Sequence, residues 1–255
     1  LYDVDGIEHG FHPSALAGSF CARRLQYEFI KVPQEERMKR EINPKLRRVF
    51  DNGSYMHKRW QRYFMDMSKA GLGIDLVGSW RCGSCHYLHS PDKEVTIPIG
   101  LSCPKCGHDN WKYGEFRLRN KSMRVVGKRD GKLIINGEPY LLEIKSITTF
   151  KFKPLLRPEK DHIKQFSFYM FLDGTKKGII LYEDKNSQDY KTFFHNYNSN
   201  NIMDELNVLT ETNRGIDTET LCDRVDDYPS DRCKLCPYYK TCIEDKEYKE
   251  LVQKN

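Results

Sequence analysis

The sequence predicts an α/β fold in which helices precede and follow a group of β-strands. Apolar residues recur at helical spacing over residues 45–67, and a second helix is expected over 161–173. Between these helices, Asn136-Gly137 separates two apolar runs, which is the strongest short-range signal for a β-hairpin. Two further strands are expected within 178–195. The 255 residues, 38% of them hydrophobic, can form one or two domains.

The composition excludes several classes of protein. The apolar runs span only a few residues, so no membrane span of about 20 residues is expected. The start of the chain has neither the basic residues nor the apolar stretch of a secretory signal. The net charge is +6, and seven Lys or Arg residues lie between Arg117 and Lys132 against one acid, Asp130. Such a basic stripe suits a polyanion such as nucleic acid, although a solvated strand face gives the same pattern.

The N-terminal part of the chain is expected to be helical. Residues 14–30 place apolar side chains at helical spacing beside Cys21. Residues 34–48 form a charged stretch, which is predicted to be a solvated helix or a loop. The long helix over 45–67 follows and carries His57.

Nine cysteines form two groups, and their odd number argues against a secreted disulfide framework. The first group is Cys82-x-x-Cys85, followed after seventeen residues by Cys103-x-x-Cys106. Two such knuckles supply four thiolates at tetrahedral angles, which predicts a zinc ribbon over residues 77–112 rather than redox-active or free thiols. Nearby histidines are expected at the surface, and flanking aromatic residues either stack on unpaired bases or form the small core of the ribbon. The histidines are His86, His89 and His108, and the aromatic residues are Trp80, Tyr87 and Trp111.

The second cysteine group lies near the C terminus and contains Cys233, Cys236 and Cys242, so it offers only three thiolates. A fourth ligand must come from elsewhere in the chain, and Cys21 and Cys222 are the candidates. An iron–sulfur cluster takes four thiolates and tolerates uneven spacing. The spacing therefore favours a cluster over a zinc ion or the absence of metal.

The hairpin brings two carboxylates together. With a two-residue turn at 136–137, the numbers of paired residues sum to 273, so Asp130 lies opposite Glu143 and Lys128 lies opposite Lys145. Like charges in directly opposed positions destabilise a sheet, and a divalent cation between them reverses that effect. Because side chains alternate along a strand, Glu143 and Lys145 share one face while their neighbours point into the core. The alternatives are a solvated hairpin face, in which Asp130 only closes a turn, and a bulge that shifts the register.

Five motifs occur in the order found in one nuclease superfamily. The segments GKRD, ending at Asp130, and EIK, starting at Glu143, resemble the GxxD…ExK core of PD-(D/E)xK nucleases. The segments GSYMH, ending at His57, and QFSFY, starting at Gln165, are similar to the elements that flank this core in the RecB-like branch. The CxRxxxY segment that starts at Cys21, together with the late cysteine run, resembles iron–sulfur members of the branch. Those members include the CRISPR-associated Cas-four exonucleases, the AddB nuclease domain and related phage nucleases.

The resemblance covers most of residues 14–246 and implies a restriction-endonuclease-like core with a mixed central sheet. The sequence departs from the family pattern in two places. Arg129 occupies the position of a proline that often precedes the metal-binding aspartate, and the ribbon lies outside the usual pattern. The ribbon is therefore expected to grip DNA or to dock on a helicase, a recombinase or an integrase.

The resemblance also implies a metal site. Asp130 and Glu143 would bind Mg²⁺ or Mn²⁺ together with the carbonyl of Ile144. His57 would complete the shell of ligands, which in this branch favours Mn²⁺. The metal would lower the pKa of the attacking water and neutralise charge that develops on the scissile phosphate.

Three further residues would serve the reaction according to the same resemblance. Lys145 would hold the attacking water and help to deprotonate it. Gln165 and Tyr169, one helical turn apart, would orient this lysine or a phosphate. The catalytic set implied by the resemblance is therefore Lys145, Asp130, Glu143, His57, Gln165 and Tyr169.

The implied iron–sulfur ligands are Cys21, Cys233, Cys236 and Cys242, which would hold a structural 4Fe–4S cluster. This cluster would tie the N-terminal helix to the C-terminal tail. Closing so long a loop restricts the unfolded chain more than a local link does. Cys222 would then be spare.

The sequence thus predicts a Mg²⁺- or Mn²⁺-dependent deoxyribonuclease, an exonuclease on single-stranded ends in DNA replication, recombination or repair. The enzyme would act in the cytoplasm of a bacterial or phage-infected cell, either as a phage enzyme or as a nuclease that trims ends during CRISPR adaptation. A rival from another class is a catalytically idle DNA- or protein-binding module, against which the intact acids and lysine argue. Four segments are expected: a helical part of the nuclease domain over 1–76, the ribbon over 77–112, the nuclease core over 113–220 and a cysteine region over 221–255. A helix is expected over 199–214, within the nuclease core.

Overall fold

The computed structural model describes residues 10–36, 42–90, 93–244 and 246–252. Part of the charged stretch predicted over 34–48 therefore lies outside the described residues. The chain divides into two compact units. The terminal unit consists of Leu1–Asn43, Arg119–Val126 and Ser199–Asn255, and the sheet unit consists of Pro44–Leu118 and Gly127–Asn198.

Most of the strands lie in the middle of the chain, with helices before and after them. The described helices are α1 (Pro13–Leu16), α2 (Ala22–Phe29), α3 (Pro44–Lys69), α4 (Thr149–Phe152), α5 (Lys160–Asp173), α6 (Met203–Asp217), α7 (Asp231–Lys234), α8 (Tyr239–Glu244) and α9 (Tyr248–Val252). The described strands are β1 (Ile74–Cys82), β2 (Leu88–His89), β3 (Val95–Thr96), β4 (Trp111–Gly114), β5 (Arg117–Asn120), β6 (Val125–Lys128), β7 (Gly131–Ile135), β8 (Glu138–Ile147), β9 (Lys177–Asp184) and β10 (Tyr190–Asn196). Among these described helices, none combines the length and the apolar composition needed to cross a membrane.

The sheet unit is built on a mixed sheet with the strand order β10-β9-β8-β7-β1-β2, and β3 and β4 also pair with β1. Strands β8 and β9 run parallel, whereas the other pairs are antiparallel. Helix α3 contacts β1 and β8, and helix α5 contacts β9. The predicted α/β fold with a mixed central sheet and flanking helices is confirmed.

The two faces of β8 pack against different helices. Leu142 and Ile144 are fully buried in a core to which α3 contributes. Leu141 is fully buried on the opposite face, in a core with Phe166 of α5. Because side chains alternate along a strand, Glu143 lies on the α5 face of the sheet. The predicted burial of both neighbours of Glu143 is confirmed.

The hairpin that joins β7 and β8 turns at Asn136 and Gly137. Their φ angles are 50° and 85°, and positive φ at both positions is the signature of a two-residue hairpin turn. The ladder runs from Ile135↔Glu138 at the turn to Gly131 on β7. Each pair sums to 273, so the predicted register is confirmed over this ladder.

The structure differs from the predicted hairpin beyond Gly131. Lys128 belongs to β6, which pairs with β5 in a separate two-stranded sheet, so its predicted position opposite Lys145 is wrong. The chain bends at Asp130, and Oδ2 of Asp130 accepts a hydrogen bond from the Ile144 N–H at 2.7 Å. The carboxylate thus replaces the next backbone rung of the ladder, and Asp130 does not pair with β8 through its backbone.

Strand β1 links the ribbon to the central sheet. Its first half, 74–77, pairs with β7, and its second half, 79–82, pairs with β4 of the ribbon. The strand was not predicted, because the sequence does not show which distant strand pairs with it. The ribbon therefore begins on an inner strand of the sheet.

The helix predicted over 14–30 is broken between α1 and α2. The Ser19 hydroxyl donates a hydrogen bond of 2.8 Å to the Ala15 carbonyl, which satisfies one of the free carbonyls at the end of α1. Cys21 has an extended backbone with φ −139° and stands immediately before α2. The break therefore places the Cys21 thiol outside the helix.

Candidate active site and cysteine sites

Three side chains from different elements of the sheet unit converge on one point. They are His57 of α3, Glu115 after β4 and Asp130 before β7, and their ligand atoms all lie within 4.8 Å of one another. The Nδ1 atom of His57 is 3.0 Å from Oδ1 of Asp130. Imidazole nitrogen and carboxylate oxygen are the ligands that Mn²⁺ and similar divalent ions bind in proteins.

Helix α3 holds this group in place through Gln61. The Gln61 amide donates to Oε1 of Glu115 at 3.1 Å and to the backbone carbonyl of Asp130 at 2.9 Å. The Tyr113 hydroxyl donates to the same carbonyl at 3.2 Å. Both oxygens of the Asp130 carboxylate are also engaged, one by His57 and the other by the Ile144 N–H. The carboxylate therefore has a fixed orientation.

A second set of side chains lies on the α5 face of β8. Lys145 Nζ is 2.7 Å from Oε1 of Glu143 and donates to Oε1 of Gln165 at 2.9 Å. The Gln165 amide donates to Oε1 of Glu143 at 3.1 Å, which closes a triangle of three side chains. Tyr169 is buried one turn further along α5. The structure thus joins four of the predicted catalytic residues in one neighbourhood.

The site concentrates negative charge in a poorly solvated place. Burial raises the pKa of Glu143 to about 7, with the negative charge of Asp130 adding to the effect and Lys145 opposing it. Burial and Asp130 likewise raise the pKa of Glu115. Burial opposes a charged His57, but its hydrogen bond to Asp130 outweighs this and raises the pKa of the imidazole. A bound cation would relieve the repulsion among the three carboxylates.

Glu115 is the member of the site that sequence reasoning missed. Glu143, which the family resemblance places at the metal, does not belong to the group within 4.8 Å of His57, and Glu115 does. Glu115 has no local motif, since it reaches the site only because β4 pairs with β1. The one sequence signal is an acid placed directly after the ribbon.

A network of buried ion pairs lies beside Asp130. Arg129 is fully buried and pairs with Glu94 of the ribbon and with Asp173 at the end of α5. Lys132 is 2.9 Å from the same Asp173 carboxylate. Burial opposes ionisation of Glu94, but its bond to Arg129 outweighs this and lowers the pKa of the carboxyl. Arg129 thus joins the ribbon to the sheet next to the candidate site.

The four ribbon cysteines form a compact site. The sulfurs of Cys82 and Cys106 are 3.5 Å apart, and those of Cys85 and Cys103 are 3.6 Å apart. The N–H of Cys85 lowers the pKa of Cys82 to about 6. The N–H of His108 favours a thiolate at Cys106, but burial and the neighbouring thiols raise its pKa to about 12. A cation bound by all four sulfurs would stabilise the thiolate form of each cysteine, as in structural zinc sites.

The aromatic residues of the ribbon divide between its core and its surface. Trp80 is fully buried and donates from Nε1 to the Val95 carbonyl at 2.9 Å. Trp111 is buried and donates to the Leu101 carbonyl at 2.8 Å. Both tryptophans therefore form the core of the ribbon, whereas Tyr87 is exposed. His86 and His108 lie at the surface, as predicted.

The remaining predicted ligands lie in the terminal unit. Cys21, Cys233, Cys236 and Cys242 line one pocket, and all nine cysteines, which lie within the described residues, are free thiols. Burial raises the pKa of Cys21 and Cys236. Cys222 does not line this pocket.

Cys222 is instead a buried structural residue. Its N–H donates to Oε1 of Gln26 at 2.9 Å, and its carbonyl accepts from Nε of Arg23 at 2.6 Å. The arginine of the CxRxxxY segment thus fixes the chain around Cys222. Tyr27, the last residue of that segment, is buried and lines the pocket of the four cysteines.

The chain was also compared with known proteins. No protein-family model matches it, and no curated protein matches it. Similar solved structures include an alkaline exonuclease from Laribacter hongkongensis, LHK-Exo, with 15% identity and a TM-score of 0.48 over 83% of this chain and 90% of that chain. The same exonuclease in complex with dAMP has 15% identity and a TM-score of 0.47 over the same 83% and 90%. The protein SSO0001 has 16% identity and a TM-score of 0.40 over 92% of this chain and 87% of that chain.

Proposed function

We propose that the protein is a divalent-metal-dependent nuclease that hydrolyses phosphodiester bonds of DNA. The observation that carries the proposal is the convergence of His57, Glu115 and Asp130 within 4.8 Å, in the same unit as a lysine held against a buried glutamate. An acid–imidazole group with a nearby lysine suits hydrolysis of a phosphodiester. Action as an exonuclease on single-stranded ends, in replication, recombination or repair, follows from the family resemblance.

The donor set fits Mg²⁺ or Mn²⁺. His57, Glu115 and Asp130 would hold the ion, with Glu143 and the Ile144 carbonyl as further ligands. The raised pKa values of Glu143 and Glu115 support this, because a cation relieves the repulsion that causes part of both shifts. When bound, such an ion lowers the pKa of its water and neutralises charge on the scissile phosphate.

The chain's own residues would orient the reactants. Lys145 Nζ, fixed by Gln165 at 2.9 Å, would hold the attacking water and take part in its deprotonation. Gln165 also contacts Glu143, so one amide aligns the lysine and the acid together. The buried Tyr169 would keep α5 in place under both. The Ile144 N–H holds the Asp130 carboxylate in position.

The two cysteine sites are proposed to be structural. The ribbon cysteines fit one Zn²⁺, because their sulfurs already lie at the mutual spacing of a tetrahedral thiolate site. Cys21, Cys233, Cys236 and Cys242 fit a 4Fe–4S cluster, because four free thiols line one pocket whose wall includes the buried Tyr27. Neither group takes part in the proposed hydrolysis.

The setting of the reaction remains a prediction of the sequence. The ribbon exposes Tyr87, Ile99 and Leu101, which supports its proposed role in docking a helicase, recombinase or integrase. Nucleolysis in the cytoplasm, by a phage enzyme or during CRISPR adaptation, belongs to the same proposal.

Replacing either central acid should abolish nucleolysis. Asp130→Ala and Glu143→Ala each remove a carboxylate from the site, so cleavage should fall by more than the roughly 10–100-fold that follows loss of a residue outside the ligand shell. The measurement is digestion of 5′- and 3′-labelled single-stranded and duplex DNA with Mg²⁺, with Mn²⁺ and with EDTA. DNA affinity should stay largely intact.

Asp66→Ala provides the matched control, since Asp66 is an exposed carboxylate on α3. The control should cleave like the unaltered protein. Full cleavage by both Asp130→Ala and Glu143→Ala would contradict the proposed metal site.

A further inference from the structure

A groove in the sheet unit lies next to the proposed active site. It has a volume of about 280 Å³ and lies between α3 on one side and the end of β8 and the β9–β10 turn on the other. Gly53 and Ser146 line it, and an added Cβ at Gly53 would be only 3.7 Å from the Ser146 hydroxyl. Gly53 is one helical turn before His57, and Ser146 follows Lys145 directly. The groove therefore leads to the two elements that carry the site.

Hydrogen bonds and an ion pair fix the walls of this groove. Glu183 is buried. It accepts a hydrogen bond from Nε1 of Trp60 at 2.7 Å and forms an ion pair with Arg59. Behind Lys185, at the end of β9, the Thr149 hydroxyl donates to Asp184 at 2.8 Å and accepts from the Asn186 amide at 2.8 Å. These bonds hold the β9–β10 turn against the start of α4, so Lys185 has a defined position.

The charge around the groove is positive. Arg59 and Lys185 line it together with a single acid, Glu183, and the ion pair between Arg59 and Glu183 leaves the lining with a net positive charge. The adjoining parts of α3 and of the α4–α5 segment carry many more basic than acidic residues. Over residues 45–58 and 149–161 the basic residues are Lys45, Arg47, Arg48, Lys58, Lys151, Lys153, Arg157 and Lys160, and the acidic residues are Asp51, Glu159 and Asp161. Such a surface attracts a polyanion.

Aromatic side chains stand in water beside these charges. Tyr55 lines the groove and is 69% exposed, and Phe150 at the start of α4 is 88% exposed. Basic residues interleaved with exposed aromatic rings are what proteins use to bind unpaired bases, because the ring faces of a duplex are covered by its own stacking.

We propose that this groove binds an unpaired polynucleotide strand next to the scissile phosphate, with Tyr55 stacked on a base and Arg59 and Lys185 against phosphates. The proposal rests on the proposed nuclease function, since it names the substrate class of that site. It explains why Tyr55, Lys185 and Gly53 line the same groove.

The test measures binding without cleavage. Fluorescence anisotropy of labelled oligo(dT), oligo(rU) and a duplex of equal length is recorded in EDTA with the full-length protein, so that nucleolysis plays no part. Tyr55→Ala should weaken binding of the unpaired strands roughly 5- to 100-fold, from the loss of one stacked base. Tyr55→Phe should retain most of the affinity. Lys185→Ala should reduce the slope of log affinity against log salt by about 0.7 for a single strand.

The controls are chosen outside the groove. Lys69→Ala removes an exposed lysine from the last residue of α3, and Phe194→Ala removes an exposed ring from β10. Neither should weaken binding. Equal losses for control and groove variants, unchanged affinity in Tyr55→Ala and Lys185→Ala, or an equal loss on duplex DNA would overturn the proposal.

The outcomes also separate this inference from the proposed function. If the groove variants weaken binding of either unpaired strand but the protein cleaves nothing with Mg²⁺ or Mn²⁺, the groove stands and the nuclease proposal fails. If Asp130→Ala abolishes cleavage while Tyr55→Ala and Lys185→Ala bind oligo(dT) and oligo(rU) as before, the nuclease proposal stands and the groove fails.

Discussion

The molecule holds two sets of four cysteines, and they differ in how their sulfurs are arranged. The ribbon sulfurs all lie within 4.8 Å of one another, whereas the cysteines that line the terminal pocket form no such group within the described residues. A single tetrahedral Zn²⁺ with bonds of about 2.3 Å needs sulfurs about 3.8 Å apart, which the ribbon provides. A wider pocket suits a cluster, whose irons separate the ligands. Each site offers four cysteine sulfurs, so the distance between the sulfurs is what favours a single ion at one site and a cluster at the other.

The two sites also close loops of very different length. The ribbon links positions 82 to 106, whereas the terminal pocket links positions 21 to 242. Since loop-closure entropy grows with the logarithm of loop length, the roughly ninefold longer loop restricts the unfolded chain by about 2 kcal/mol more. The terminal site is therefore expected to contribute more to stability.

The largest effect is expected from the terminal site. Cys236→Ser should remove the cluster and lower the free energy of unfolding by about 5 kcal/mol or more, because binding of a structural metal group is folding free energy. Protein purified without oxygen should lose its brown colour, its iron and its sulfide. Cys222→Ser is the matched control, since Cys222 is buried outside the pocket, and it should keep all three. A colourless unaltered protein with two zinc ions per chain would contradict the cluster.

A smaller effect is expected from the ribbon. Cys82→Ser should release zinc and lower the free energy of unfolding by about 2 kcal/mol less than Cys236→Ser, because the ribbon closes the shorter loop. Metal analysis should show loss of zinc, while the absorbance of the cluster remains. Loss of both groups together would show that the thiols are assigned to the wrong sites.

The smallest effect is expected from the ion pair that joins the ribbon to the sheet. Glu94→Gln leaves Arg129 with Asp173 as its remaining acidic partner, so it should cost about 1–3 kcal/mol in the free energy of unfolding. Urea denaturation measures the loss. Lys234→Ala, which breaks an exposed pair with Asp231, is the control and should cost less than about 0.5 kcal/mol. A cost for Glu94→Gln no greater than that of the control would show that this ion pair does not stabilise the junction of the ribbon with the sheet.

Local patterns predicted a large part of this fold. Helix α3 follows from apolar residues at helical spacing, and the turn at 136–137 follows from a dipeptide that accepts positive φ. The register of the hairpin then follows by counting. The close grouping of the four ribbon cysteines follows from their spacing, because each knuckle is a local turn.

What could not be predicted depends on contacts between distant residues. Strand β1 is set by its partners β7 and β4, and Glu115 reaches His57 only through that pairing. The end of the ladder at Gly131 depends on a side-chain bond from Asp130 to the facing strand, which alternation does not reveal. The break before Cys21 was missed because the helical periodicity continues across it.

The ribbon is part of the sheet unit, because strand β1 pairs both with β4 of the ribbon and with β7 of the central sheet. A shortened chain without residues 83–110 would keep β1 and β4 but lose Glu94, and it would leave the fully buried guanidinium of Arg129 with one acid fewer. Exchange of this ribbon for an unrelated loop would therefore require Arg129 to be redesigned at the same time. The ribbon and the sheet therefore have to be changed together.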